Sequence, residues 1–185
     1  MNRIIHLILP VVFTAAGLQL AAAAPGGIFP WRTLQAENGA TNAEKIGPSR
    51  EAGTFAAECV GRRGVKLNRT GDYVEWIAPA KADAVVIRCA VPDAPRGGGI
   101  DFTLSLYIDG GHRCDLPLTS RHTWLYGKES DPVDDPAAQK LPGGTAFHFF
   151  DETRARVGEI PAGAKVRLQK DAGDTAAFYV IDLLE

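Results

Sequence analysis

The stretch LQAENG, residues 34–39, sets two oxygen-bearing side chains, Gln35 and Glu37, two positions apart. On a β-strand such positions share a face, with Leu34 and Ala36 on the other. Near the start of a domain they are either solvated or wait for a partner from elsewhere in the chain. Other carboxylates come as adjacent pairs, Asp134-Asp135 and Asp151-Glu152. Glycoside hydrolysis needs two carboxyls facing each other across a cleft at a set separation. Neighbours in a Pro-rich loop do not supply that, and Asp131, Asp134 and Asp135 read as a solvated acidic loop. No GxSxG, HExxH or Cys-His arrangement is present. Cys59, Cys89 and Cys114 show no CxxC or Cys/His spacing, which argues against zinc. Their odd number leaves at least one unpaired, and any of three pairings is open. Cys89 shares a strand face with Val85 and Ile87, which favours burial in a core.

The elements that would position such residues are strands separated by Gly/Pro/Asp turns. GDYVEWIAP (71–79) alternates, with Tyr73, Glu75 and Ile77 on one side and Val74 and Trp76 on the other. ADAVVIRCAVPD (82–93) is a β-branched run ending at Pro92. In IDFTLSLYIDGGHRCDLPL (100–118), Phe102, Leu104 and Leu106 alternate with Thr103, Ser105 and Tyr107, and Asp109-Gly110-Gly111 reads as a hairpin turn. AKVRLQKD (164–171), preceded by the turn PAGAK (161–165), and AFYVIDLLE (177–185) read as closing strands. DETRARVGEI (151–160) is the best helix candidate and fits a strand about as well. GGG at 97–99 lacks the following helix of a phosphate loop and reads as a plain loop. About ten short strands at turn-rich spacing predict an all-β sandwich. One segment breaks the rhythm. Ser120 to Asp151 is long, irregular and carries Trp124, Tyr126, Phe147, His148, Phe149 and Phe150, which marks it as functional rather than disordered.

The chain has 185 residues. Met1-Asn2-Arg3, the apolar run Ile4–Leu20 and the small residues Ala21–Ala24 form a secretory leader, with cleavage expected after Ala22 or Ala23, leaving roughly 160 residues. That suits residues 1–23 as signal peptide, 24–30 as a short linker and 31–185 as one domain with a real core. The expected location is extracellular or periplasmic, with no membrane anchor in the mature form. Formal net charge is −2, and removal of the leader deletes Arg3 and brings it to −3. The densest basic run, GRRGVK (61–66), is too short to argue for nucleic acid or an anionic membrane.

Several stretches together resemble a known family. LQAENG resembles the opening strand of the family 6/35 carbohydrate-binding modules, and AAECVGRRGVKLNRTGDYVEWIAPA (56–80) is similar to the segment that follows it there. VIRCAVPDAPRGGGIDFTLSLYIDG (86–110), LTSRHTWLYG (118–127), FHFFDETR (147–154) and PAGAKVRLQKDAGDTAAFYVIDL (161–183) resemble the noncatalytic N-terminal module of mycodextranase-like α-1,3-glucanases. The resemblance runs from about Trp31 to Leu183.

It implies an antiparallel β-sandwich of jelly-roll, galactose-binding-like form. It also implies a structural Ca²⁺ held by Gln35, Glu37 and Asp182, with Glu58 as a further candidate carboxylate; hard cations take such oxygen donors. The family binds sugars, which implies Trp124 and Tyr126 as stacking platforms and His148, Asp151 and Asp174 as polar contacts, a design of apolar platform plus a few polar groups. Trp76 and Phe102 are expected in the core. Val180 departs from the pattern, since family 6 modules often carry a sugar-binding Asn there. In the resembling enzymes catalysis lies in a separate repeat-built β-helix. The expectation is therefore a secreted, monomeric, non-catalytic accessory module that binds a polysaccharide or oligosaccharide and is not an enzyme. The alternatives are an interaction sandwich that has lost sugar binding, or a truncated remnant of a glycoside hydrolase.

Overall fold

The computed structural model describes residues 32–51, 53–122, 124–126, 146–148 and 150–185, with 124–126 and 146–148 as backbone only. The chain divides into two units, Met1–Pro30 and Trp31–Glu185. The leader and linker assigned to 1–30 lie outside the described residues.

Two antiparallel sheets build the second unit, as the alternating patterns require. The first has the order β11 (Asp151–Ile160), β6 (Ala82–Ala90), β13 (Tyr179–Leu184), β4 (Gly64–Leu67), β3 (Glu44–Ile46), with β1 (Leu34–Gln35) also pairing β13. The second has the order β2 (Ala40–Thr41), β5 (Tyr73–Ile77), β12 (Lys165–Gln169), β7 (Asp101–Ile108), β8 (Gly111–Thr119). A separate two-stranded ladder joins β9 (Trp124–Tyr126) to β10 (Ala146–His148). The helix candidate at 151–160 is the edge strand β11, and a register break between Arg156 and Ile160 accommodates Gly158 at φ 75°.

The core lies between the two sheets. Val74 and Trp76 of β5, Leu104 and Leu106 of β7, Val166 and Leu168 of β12, and Val85, Ile87 and Cys89 of β6 all enter it. Phe102 packs against it while remaining partly exposed. The strand β13 is buried along its whole length because it is covered on both faces. Tyr179, Ile181 and Leu184 face the main core, whereas Val180 joins Cys59 and Ala90 in a second cluster flanked by Phe55, Phe150 and Phe178. Phe55 comes from the short helix α1 (Phe55–Glu58), whose N-cap Thr54 accepts the Ala57 N–H at 3.3 Å. Cys59, Cys89 and Cys114 are all free. Burial pushes the Cys59 and Cys89 thiols up to about 12, so both stay protonated at neutral pH.

Two turns use conformations their residues allow. Asp109 (φ 50°) and Gly110 (φ 81°) are both left-handed, the signature of the tight hairpin turn expected between β7 and β8. At Gly39 the constraint is space: a Cβ there would sit 2.7 Å from Val74 Cγ2 and 3.1 Å from Trp76 Nε1.

Carboxylates hold the loops. Asp174 is only 3% exposed. It accepts from Thr103 Oγ1 at 2.8 Å, from Ser105 N–H and Oγ at 3.1 and 2.8 Å, and from Asp171 N–H at 2.8 Å. The loop after β12 is thereby clamped onto the outer face of β7. Asp72 caps its own turn by accepting the Asn68 and Arg69 N–H groups, both at 2.9 Å. Burial alone would raise the Asp72 carboxyl, but those two donors and the Arg69 guanidinium outweigh it and hold the pKa below the usual range. Asp171 is held low in the same way: burial works against it, and the Gln169 amide and Tyr107 hydroxyl prevail.

Two predictions follow from these clamps. Asp174→Ala leaves Ser105 and Thr103 donors unpaired under the loop and should cost about 3 kcal/mol of unfolding free energy, read by urea denaturation. Because the folded pKa values of Asp72 and Asp171 lie below the unfolded value of about 3.9, their contribution is complete above that value and is lost as pH falls through the folded ones. Stability should therefore decline from about pH 4 downward, and Asp72→Asn should make that acid limb shallower in a pH series of melts.

Candidate functional site

The side chains singled out in LQAENG lie where the first and last strands meet. The strand ends sooner than its alternation implies. β1 stops at Gln35, and Ala36–Asn38 form a 3₁₀ turn closed by the Gly39 N–H on the Ala36 carbonyl at 3.0 Å. Ala36 is fully buried and fixes the turn against the core. Gln35 and Glu37 still converge. A Cβ placed on Gly61 would lie 3.5 Å from Glu37 Oε1 and 3.9 Å from both Gln35 side-chain polar atoms. Gly61 itself adopts φ 68°, so a residue with a side chain there would be strained.

Asp182 is fully buried in the seam. On one edge of β13 the partner changes from β4, which pairs residues 179–181, to β1, which pairs Leu183 and Leu184. On the other edge the register against β6 breaks between Ile181 and Leu183. Asp182 is thus the extra residue of a bulge, and such an insertion re-aims a side chain. Its Oδ1 accepts the Val60 N–H at 2.9 Å, and its Oδ2 pairs with Arg88 Nη1. Arg88 also donates to the Glu58 carbonyl at 3.5 and 3.4 Å and lies 4.7 Å over the Phe150 ring. Partial burial draws the Arg88 pKa below its ordinary value, yet the guanidinium remains charged at any working pH.

Glu37 Oε2 is buried with no hydrogen-bond partner, the one such side-chain atom among the described residues. An acceptor of that kind is expensive to leave unpaired. Arg88 was not singled out in the sequence. The available signal is a lone arginine within the apolar run VVIRCA.

The five residues read as sugar contacts do not form one described constellation. Trp124 and His148 pair across the β9–β10 ladder, and Tyr126 pairs Ala146; their side chains lie outside the described residues. Asp151 opens β11 opposite Cys89 and caps itself through the Glu152 N–H at 2.8 Å. Asp174 spends both oxygens on the clamp described above and sits on the second sheet. Among the described residues no group of three or more His, Cys, Asp or Glu gathers as a metal cluster. The oxygen donors at the seam are instead two carboxylates and an amide. Asp72, Asp101 and Asp171 are the described carboxyls whose pKa departs from the ordinary value, and all three move down. A general acid requires the opposite shift.

Residues 28–185 match the family described as alpha-1,3-glucanase catalytic domain D1. A GH87 α-1,3-glucanase catalytic domain solved in complex with nigerose is similar at 32% identity and a TM-score of 0.77, covering 86% of this chain and 28% of that one. The Agl-KA catalytic domain is similar at 27% identity and a TM-score of 0.74, covering 91% and 29%. The catalytic unit of a thermostable GH87 α-1,3-glucanase from Streptomyces thermodiastaticus strain HF3-3 is similar at 29% identity and a TM-score of 0.63, covering 83% and 25%. No curated protein matches. The chain therefore spans 28% of the length of the first of these catalytic domains.

These likenesses correct the sequence-based expectation. A non-catalytic carbohydrate-binding module of the 6/35 type, an accessory domain and a non-enzyme are all overturned, because the matched family and the matched structures are catalytic domains. The residues behind that resemblance are strand and turn residues, which report a sandwich and not whether it belongs to a catalytic unit. The chain belongs to the family of α-1,3-glucanase catalytic domain D1.

Proposed function

We propose that this chain is the β-sandwich part of a secreted enzyme that hydrolyses α-1,3-glucan. The observation that carries the reading is the 32% identity, over 86% of the chain, to a catalytic domain solved in complex with nigerose. Hydrolysis of a glycosidic bond takes a carboxylic acid to protonate the leaving oxygen and a second carboxylate as base or nucleophile. The shifted carboxyls among the described residues, Asp72, Asp101 and Asp171, are all held toward the ionised form, which does not suit the proton-donating role. The described residues instead support a positioning role: a rigid sandwich carries the β9–β10 ladder, on which Trp124, Tyr126 and His148 would meet the sugar, with Asp151 following at the start of β11. Aromatic rings suit the apolar C–H faces of pyranose units, and the polar groups suit their hydroxyls. Export rests on the leader pattern of residues 1–23. Among the described residues no helix is long and apolar enough to cross a membrane.

The seam also supports a structural Ca²⁺. Gln35, Glu37 and Asp182 would hold it, and the buried, unpartnered Glu37 Oε2 is the feature it would satisfy. Bound there, the ion would neutralise carboxylate charge and pin the first strand to the last. Arg88 retains the Glu58 carbonyl and the Phe150 ring as partners on its own side of Asp182.

The protein should be retained on insoluble α-1,3-glucan and not on cellulose, xylan or chitin. Trp124→Ala should weaken that retention about tenfold, the loss of one aromatic contact worth more than 1 kcal/mol. Reducing sugar should be assayed in the same tubes. No retention and no sugar release from α-1,3-glucan would overturn the substrate assignment.

A further inference from the structure

The segment that carries the β9–β10 ladder departs from the end of β8, where its first residues are locked to the start of β7. The last pair of the β7–β8 ladder is Asp101 with Thr119. One step further, the Ser120 N–H donates to the Ile100 carbonyl at 3.0 Å, and Ser120 Oγ accepts the Ile100 N–H at 2.8 Å. Ser120 is 2% exposed, so this exchange is shielded from water and fixes the direction in which the chain leaves the sheet. Exposed Arg121 then folds back on Asp101, with Nε 3.2 Å from Oδ1 and Nη2 3.1 Å from Oδ2. Two parallel contacts of a planar guanidinium define its orientation as well as its distance. Trp124 is three residues further on.

Gly99 makes this junction possible. It adopts φ 78°, and a Cβ there would lie 2.5 Å from both the N and the Cα of Arg121. Only hydrogen lets the two backbones pass so closely. Asp93 holds the other side, where its Oδ1 accepts the Gly99 N–H at 2.9 Å and the Ala94 N–H at 2.7 Å. Gly98 offers a matched contrast. It too is left-handed, at φ 86°, yet a Cβ there meets no described atom within 4 Å. A side chain strains the backbone at either position, but only at Gly99 must the Arg121 backbone move.

The ladder is attached to the sandwich through this junction at one end and through Phe150, which packs in the second cluster, at the other. To restore an ordinary carbon–carbon contact of about 3.5 Å, the Arg121 backbone would have to part from an alanine at 99 by about 1 Å. Binding groups lose their effect over displacements of that order. We infer that Gly99 is a positioning residue for the glucan-binding segment: it seats Arg121 and so sets where the β9–β10 ladder stands against the sandwich. The inference rests on the proposal above that the ladder meets the sugar.

Gly99→Ala and Gly98→Ala, made in the full chain, form the test. Melting temperature, retention on insoluble α-1,3-glucan and the ¹⁵N amide signals of Trp124–Tyr126 and Ala146–His148 are measured for each. Both variants should melt below wild type, since both carry left-handed strain. Gly99→Ala alone should move the ladder signals and weaken retention at least fivefold. Should Gly99→Ala fail to fold, Ser120→Ala loosens the same junction without adding an atom. It should move the same signals and weaken retention at least threefold. Retention in Gly99→Ala equal to that in Gly98→Ala would overturn the role of Gly99, and so would a loss of retention with the ladder signals unmoved. Absence of wild-type retention on α-1,3-glucan would instead overturn the substrate reading, and this inference with it.

Discussion

A carboxylate removed from water is the constraint around which the sandwich is arranged. Asp182 has no solvent exposure, and an unpaired charge there would cost several kcal/mol. The fold compensates with the Arg88 guanidinium on one oxygen and the Val60 N–H on the other. Each partner comes from a different place: Arg88 from β6, Val60 from the loop after α1. The bulge that aims Asp182 also marks where β13 exchanges β4 for β1 as its neighbour. One side chain therefore ties the last strand to β6 and to the loop at Val60, and Glu37 lies at the same seam with an oxygen still unpartnered.

Where local alternation governs, the sequence announces the structure. β5, β7 and β12 bury the residues their period-two patterns select, and the Asp109-Gly110 turn forms where a tight hairpin needs two left-handed residues. It is silent where tertiary packing overrides the local period. The strand through LQAENG ends at Gln35 because Ala36 turns into the core and Gly39 must pass close to Val74 and Trp76. In β13 the inserted Asp182 moves the inward face from odd to even positions, so that Ile181 and Leu184 both reach the core. No alternation rule foresees that. Arg88 escaped notice for a related reason: its role depends on strands distant in sequence, while its immediate neighbours are ordinary core residues.

The sequence pattern reached the sandwich and not its place in a catalytic unit. Aromatic side chains between Ser120 and Asp151 and the opening and closing strands point to carbohydrate, and the same strands occur in sandwiches with and without a catalytic role. Membership of the catalytic-domain family therefore came from the family match and from likeness to part of solved catalytic domains, and not from the seam or the ladder. Asp174 illustrates the limit from the other side. A loop aspartate reads in the sequence as a ligand contact, yet its two oxygens are taken by Thr103, Ser105 and Asp171, and its work is to hold a loop against β7.

The measurement that bears most directly on the seam is calcium titration by calorimetry into chelator-treated protein, with melting temperature followed in parallel for wild type and Glu37→Gln. One site per chain is expected, together with a calcium-dependent rise in melting temperature that Glu37→Gln largely removes. No binding heat, and identical melting with calcium and with chelator, would contradict a metal at the seam and leave Arg88 as the sole cation that neutralises Asp182.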